Sequence, residues 1–418
     1  MHSGGEGAIE KNSTNRADGT CGFYFSLTIF LTACAASPSK TSPPPNAPST
    51  SEQSSPIERT DVDWVDRYGA EIVCPATLEE EALWRRLPTL TCERDDRLTK
   101  AARHHAETLL DSPGSVSAGR MEHLRFTVYQ LGGFDYGLQP AVGALDKNGT
   151  DYLVSFADDK GRTWTHCGLG VAENGETGVA VLVGVTRTIA MSSLPITNPV
   201  SVRRHLAIRS TRKPEGEVFL YLGKPDTSVV PIPSIQTGDV HHFDIPLDAA
   251  GRYELELLHD QGFGPETAVL IPFFAGIPPD PRPIVVPDVR ESAEVDPEAA
   301  LLRYLNGARK KVGLSALKRD PRLDSVARAH SIDMARHKYF GHVSPLMGGL
   351  LRRLDRAGLN PKRSAENIAE SSTPLRIHRN LMASPAHRLN MLSPDFTHVG
   401  IGVATAGVSI STQIFATW

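Results

Sequence analysis

The sequence is short of aromatic residues, of cysteines and of long apolar runs. Aromatics are 6 % of the chain and no stacking motif interleaves its basic residues, which argues against a nucleic-acid partner. Five cysteines are present, and no pair has the spacing of a zinc site, so no structural zinc is expected. The apolar run at 22–31 is too short for a helix that crosses a bilayer, which needs roughly 20 apolar residues. Net charge is small as well, −4 over 418 residues, but it is unevenly spread. From 295 to 418 there are 18 Lys and Arg against 9 Asp and Glu, a balance of +9, which leaves −13 for the remainder. A basic C-terminal third suits an anionic partner, such as a lipid or an envelope polymer; an ordinary solvated surface is the bland alternative.

What is present implies several domains. A chain of this length exceeds one ordinary core, so two to four domains are expected. The run at 22–31 has the length of a secretory apolar region, and Leu31-Thr32-Ala33-Cys34 follows it. That tetrapeptide resembles the lipobox of bacterial lipoproteins. The resemblance implies a signal peptide over 1–34, lipidation of Cys34 and an extracytoplasmic protein held to a membrane by a lipid anchor. The segment before it departs from the pattern, being long and mixing Lys11 and Arg16 with Glu6, Glu10 and Asp18. Residues 35–58, rich in Ser and Pro, cannot bury enough surface to order themselves and read as a tether. Outside the cytoplasm a Cys74–Cys92 bridge closes a short loop, with Cys167 left as a buried free thiol.

Two anchors recur in order. Asp96-Arg97-Leu98 through Ala106 is similar to Pro321-Arg322-Leu323 through Ser331, and Thr165-His166-Cys167-Gly168-Leu169-Gly170-Val171 to Thr397-His398-Val399-Gly400-Ile401-Gly402-Val403. The pattern predicts an internal repeat, each copy opening with an amphipathic helix and closing with two strands. Between the copies, 195–276 alternates with period two and predicts a small β-sandwich of immunoglobulin-like type. Residues 277–294 read as a Pro-rich linker.

Within 295–418, helices starting at Asp296-Pro297 and Asp320-Pro321, two more near 348–357 and 374–382, and two final strands imply an α/β/α sandwich. Two histidines and a carboxylate stand at segment ends: His342 in Phe340-Gly341-His342, Glu366 in Ala365-Glu366-Asn367, and His387 in Ser384-Pro385-Ala386-His387. Together with Val399-Gly400-Ile401-Gly402, these motifs resemble the CAP superfamily (cysteine-rich secretory, antigen 5 and pathogenesis-related proteins), in its bacterial SCP-like branch.

The resemblance implies a central cleft lined by two His and two acidic residues, in which the histidines can bind a divalent metal. It assigns His342, Glu366 and His387 to the cleft. The second acid is missing: Leu381 stands where the family has Trp, and Ser384 where the acid follows. His342 and His387, with Glu366, then form an expected site for zinc or another divalent metal. Alternatively Glu366 hydrogen-bonds a histidine and fixes its tautomer. Asn367, Ser384 and His398 are further candidates for the ligand-binding cleft, with Ser384 also reading as a helix cap.

The first copy, 59–190, lacks these motifs and is read as degenerate. The expected fold class is multidomain α+β: two CAP-like α/β/α sandwiches, the first degenerate, separated by an immunoglobulin-like β-sandwich. Three functions compete. They are binding of a small or lipidic ligand or an envelope polymer in the C-terminal cleft, metal-assisted hydrolysis of cell-envelope material with Glu366 as base, and a structural or adhesive lipoprotein. Binding is preferred over catalysis.

Overall fold

A computed structural model describes residues 62–111, 118–158, 163–212, 216–262, 264–280, 295–406 and 408–418. The expectations for the signal peptide, Cys34, the tether and most of the linker fall outside these residues. Among the described residues no helix is long and apolar enough to cross a membrane.

Two four-stranded sheets have the same plan. In the first, the order is Glu93–Arg94, His166–Glu173, Gly178–Val185 and Gln139–Ala144. In the second it is Lys318–Arg319, His398–Ala406, Val408–Thr417 and Arg363–Ser371. Each begins with a short parallel pair and continues antiparallel.

The helices Asp96–Asp111 and Pro321–His337 lie along the second strand of their respective sheets. The Gly-x-Gly of each strand explains how closely they lie. A Cβ at Gly170 would sit 2.0 Å from the Arg103 amide nitrogen, and one at Gly402 would sit 2.0 Å from that of Arg328. Only glycine lets helix and strand backbones approach so near.

An ion pair on a buried glutamate recurs too. Glu80 pairs with Arg103 and accepts the Val171 N–H, while Glu298 pairs with Arg328 and accepts the Val403 N–H. Neither glutamate figured in the repeat as read from sequence.

One cysteine expectation is overturned. Cys92 is bonded to Cys167, and Cys74 is the buried free thiol. The parallel pairing of Glu93 with His166 and Arg94 with Cys167 carries Cys92 to the second strand. Spacing along the chain could not show this.

Between the two sheets lie two more, face to face. One has the order Val229–Ile232, Glu217–Gly223, Gly251–Asp260, Pro265–Ala275, Thr197–Asn198; the other Ser234–Thr237, Val240–Leu247, Val202–Ser210, Ile189–Met191. Leu206, Ile208, Leu220, Phe243, Leu255, Leu257 and Phe273 fill the space between them. Each buried side chain of this size contributes roughly 1.5–3 kcal/mol over leaving it in water. Tyr68 and Tyr129 enter the same cluster, and Arg67–Tyr68 pairs with Leu194–Pro195. The first unit is therefore fused to the sandwich through a shared core.

The strand Gly251–Asp260 departs from simple alternation. Tyr253, Leu255 and Leu257 face the sandwich core, yet Glu254 and Glu256 are 6 % and 0 % exposed. Their face is covered by the C-terminal domain, whose helix Pro385–Met391 lies against Glu217–Gly223, Val229–Ile232 and Gly251–Asp260.

Candidate ligand-binding cleft

His342 is carried on the loop after the Pro321–His337 helix. That helix ends at Lys338, in a left-handed conformation. Asp333 on its last turns accepts from the Tyr339 hydroxyl (2.5 Å) and the Ser344 hydroxyl (2.6 Å), which fixes the loop on both sides of His342. His330, fully buried on the same helix, donates Nε2–H to the Gly341 carbonyl at 3.1 Å. Burial pushes its imidazole down to about 4.

Glu366 sits on the strand Arg363–Ser371 and is nearly buried. Its two oxygens are gripped by the Arg353 guanidinium at 2.8 and 2.9 Å, and Oε1 lies 3.0 Å from His342 Nδ1. Burial opposes ionisation, but the hydrogen bond with His342 and the charge of Arg353 outweigh it and hold the carboxyl down to about 2. Arg353 also donates to the His342 carbonyl at 3.0 Å, so one buried cation holds both cleft groups. Arg353 was missed in the sequence. The only signal was a charged residue in register with Leu350 and Leu354 on a short helix.

His387 follows Ser384, which caps the Pro385–Met391 helix by accepting the His387 N–H, as expected. Its Nδ1 lies 2.8 Å from Ser384 Oγ. Burial, and secondarily the proximity of His342, push the His387 ring down to about 3.

The remaining candidates separate from this group. Asn367 is fully buried and structural: it donates to the His387 carbonyl at 3.1 Å and accepts from Asn390 at 2.9 Å. Alternation along the strand turns it away from Glu366's side. His398 lies two strands from Arg363–Ser371, with its ring against Thr397 Oγ1 and Trp418.

Among the described residues, no group of three or more His, Cys, Asp or Glu is placed to hold a metal ion. The set His342, His387 and Glu366 does not fit a three-ligand zinc site. The Glu366 carboxylate already neutralises Arg353 and turns to His342 instead.

The middle sandwich reaches into this region. Glu256 accepts from Ser384 Oγ (2.8 Å to each oxygen), from the Ala386 N–H (2.7 Å) and from the Thr267 hydroxyl (2.9 Å). Glu254 meets Arg388 at 3.3 Å. Burial raises both carboxyls, against the pull of these donors and of Arg388. Gly264 packs on His342: a Cβ there would come within 2.6 Å of the His342 Cβ.

A helix-flanked sheet carrying these motifs, with His342 on Glu366 and His387 near enough to feel the charge of His342, fits a CAP domain. The C-terminal domain belongs to that superfamily, in its bacterial branch: residues 302–415 match the family model described as "Cysteine-rich secretory protein family". The chain is 40 % identical over 119 residues to the uncharacterized protein YkwD of Bacillus subtilis, which covers 28 % of this chain and 46 % of that one. It is 34 % identical over 125 residues to the uncharacterized membrane protein YlbC of the same organism, covering 29 % and 36 %. The chain thus spans less than half the length of these curated relatives. A solved extracellular protein containing an SCP domain from Bacillus anthracis aligns over 51 % of this chain and 78 % of its own, at 20 % identity and a TM-score of 0.28. The assignment rests on the sequence matches.

Proposed function

We propose that this is an envelope-anchored binding protein whose C-terminal cleft takes an amphipathic lipid, its polar head at His342 and its chain on the neighbouring apolar rim. The observation that carries this reading is the commitment of Glu366. A carboxylate held near 2 by its hydrogen bond with His342 and by the charge of Arg353 is too weak a base for hydrolysis at neutral pH, and it serves instead to orient His342. The segment bearing His342 also exposes Phe340, Leu346 (62 %) and Leu351 (63 %), an apolar rim that water does not favour. The basic balance of 295–418 suits an anionic head group.

Acylation at Cys34 would supply the anchor, and the Cys92–Cys167 disulfide supports an oxidising compartment. The name of YlbC, a membrane protein, agrees with an envelope setting. The matching sheet plan, the Gly-x-Gly contacts and the Glu80–Arg103 pair support reading the first unit as a degenerate CAP copy. The two packed sheets between the copies support the immunoglobulin-like reading.

Flotation with phosphatidylglycerol/phosphatidylethanolamine vesicles tests the binding, using the Cys34→Ser chain so that no anchor contributes. Binding that is lost in Leu346→Glu and Leu351→Glu supports the reading. Equal flotation of all three proteins contradicts it.

A further inference from the structure

The C-terminal domain lacks its second cleft acid, yet a buried carboxylate from another domain stands beside the residue that replaces it. We propose that Glu256 of the middle sandwich is a positioning residue of the cleft, acting through Ser384 to hold His387 in one tautomer. The inference rests on the proposed role of the cleft histidines and adds a second domain to their site.

The hydrogen-bond inventory decides the tautomer. Ser384 Oγ has one proton and two lone pairs. In its ionised form, which the Ala386 N–H, the Ser384 and Thr267 hydroxyls and the charge of Arg388 favour against burial, Glu256 has no proton to give and takes the hydroxyl's, 2.8 Å away through both oxygens. Glu256 is built as an acceptor, since the Ala386 N–H at 2.7 Å can only donate to it. One lone pair of Oγ receives the His387 N–H at 3.2 Å. The other lies 2.8 Å from His387 Nδ1. With the serine proton already committed, Nδ1 must carry the ring hydrogen, because two lone pairs would otherwise face each other. Nε2 is then the free acceptor nitrogen of His387.

His342 is set the same way from within its own domain. Its Nδ1 donates to ionised Glu366 at 3.0 Å, leaving Nε2 free. Two carboxylates therefore prepare two imidazoles alike, one directly and one through a serine. The relay is locked in register by the strand that carries it. Glu254, two residues earlier on the same face, pairs with Arg388 at 3.3 Å, next to His387 on its helix. The Gly264 backbone closes over His342 from the adjoining turn. A C-terminal domain without the sandwich would keep the His342 arm and lose the His387 arm.

The test is the ring-nitrogen spectrum of the full chain labelled with ¹⁵N-histidine, at neutral pH and without ligand, with His387 assigned by difference from His387→Gln. Wild type is expected to show His387 as Nδ1–H. Glu256→Gln should exchange the two ring-nitrogen shifts, because an amide can donate to Oγ and release the serine proton to Nδ1. Ser384→Thr should retain the wild-type pattern and Ser384→Ala should lose it. His342 should stay Nδ1–H in every variant, which also reports an intact fold. An Nε2–H ring at His387 in wild type overturns the proposal by itself, whether or not a variant folds. So does an Nδ1–H ring that persists in Glu256→Gln. Loss of vesicle binding with the relay intact would count against the lipid reading and leave the relay standing.

Discussion

Replacing Arg353 by methionine keeps much of the buried volume and removes the guanidinium that binds both Glu366 oxygens. The carboxylate stays buried behind it, and the His342 and Gly348 carbonyls each lose a donor. Removing one partner of a buried pair costs about 3–5 kcal/mol, because the remaining charge is uncompensated. The pKa shift gives a consistent figure. Glu366 falls from 4.5 to about 2 on folding, and at ~1.4 kcal/mol per unit this is roughly 3 kcal/mol. The sign follows: a depressed carboxyl stabilises above pH 4.5, and the contribution is lost as pH falls toward 2.

In urea, with a slope of about 2 kcal/mol per molar, the midpoint of the C-terminal transition should drop by about 2 M. Circular dichroism of Arg353→Met, Glu366→Gln and the double variant measures it. The double variant should recover much of the loss, since it removes both charges of the pair and leaves neither buried alone. A single-variant cost below about 1 kcal/mol, or costs that simply add, would refute the reasoning.

His330 and His387 should make the protein less stable as pH falls below 6.5. Both rings are held neutral when folded, down to about 4 and about 3, so the unfolded chain binds more protons over that window. For His330 alone the loss approaches roughly 3 kcal/mol by pH 4, so the gap between urea midpoints at pH 7 and pH 4.5 should narrow by about half in His330→Gln, the share of His387 remaining. Gly402→Ala should be severely destabilising, because the new Cβ meets the Arg328 backbone, whereas Gly349→Ala, whose Cβ meets only Val343 at 4.0 Å, should move the melting temperature little. Cys34 should carry a diacylglyceryl group in the membrane fraction by mass spectrometry, and a Cys34→Ser chain that still partitions through its N-terminus would contradict the lipobox reading.

Local rules carried far in this chain. Asp-Pro and Ser-Pro marked helix starts at Asp296, Asp320 and Ser384 because capping is settled within three residues. The paired Gly-x-Gly strands were legible for the same reason, although the helix contact that demands them was not. His342, Glu366 and His387 could be named from their motifs. Their partners could not. Tyr253-Glu254-Leu255-Glu256-Leu257 reads as one face buried and one in water, and nothing in its period shows that Ser384 and Arg388 cover the second face. Arg353 and the Cys92–Cys167 bond escaped likewise, since each joins segments that meet only in the folded chain. Asn367, next to Glu366 in sequence, reaches the His387 carbonyl and Asn390 from the opposite face of the strand, a contact that only the fold makes.

The central claim is that the C-terminal cleft binds a lipid rather than merely resting on a membrane. Isothermal titration of the Cys34→Ser chain with monomeric short-chain phosphatidylglycerol tests it most directly, with His342→Ala and His387→Ala alongside. One molecule bound per chain, weakened at least tenfold in each histidine variant, is the predicted result. Equal affinity in all three proteins, or no saturable heat in any, would contradict it.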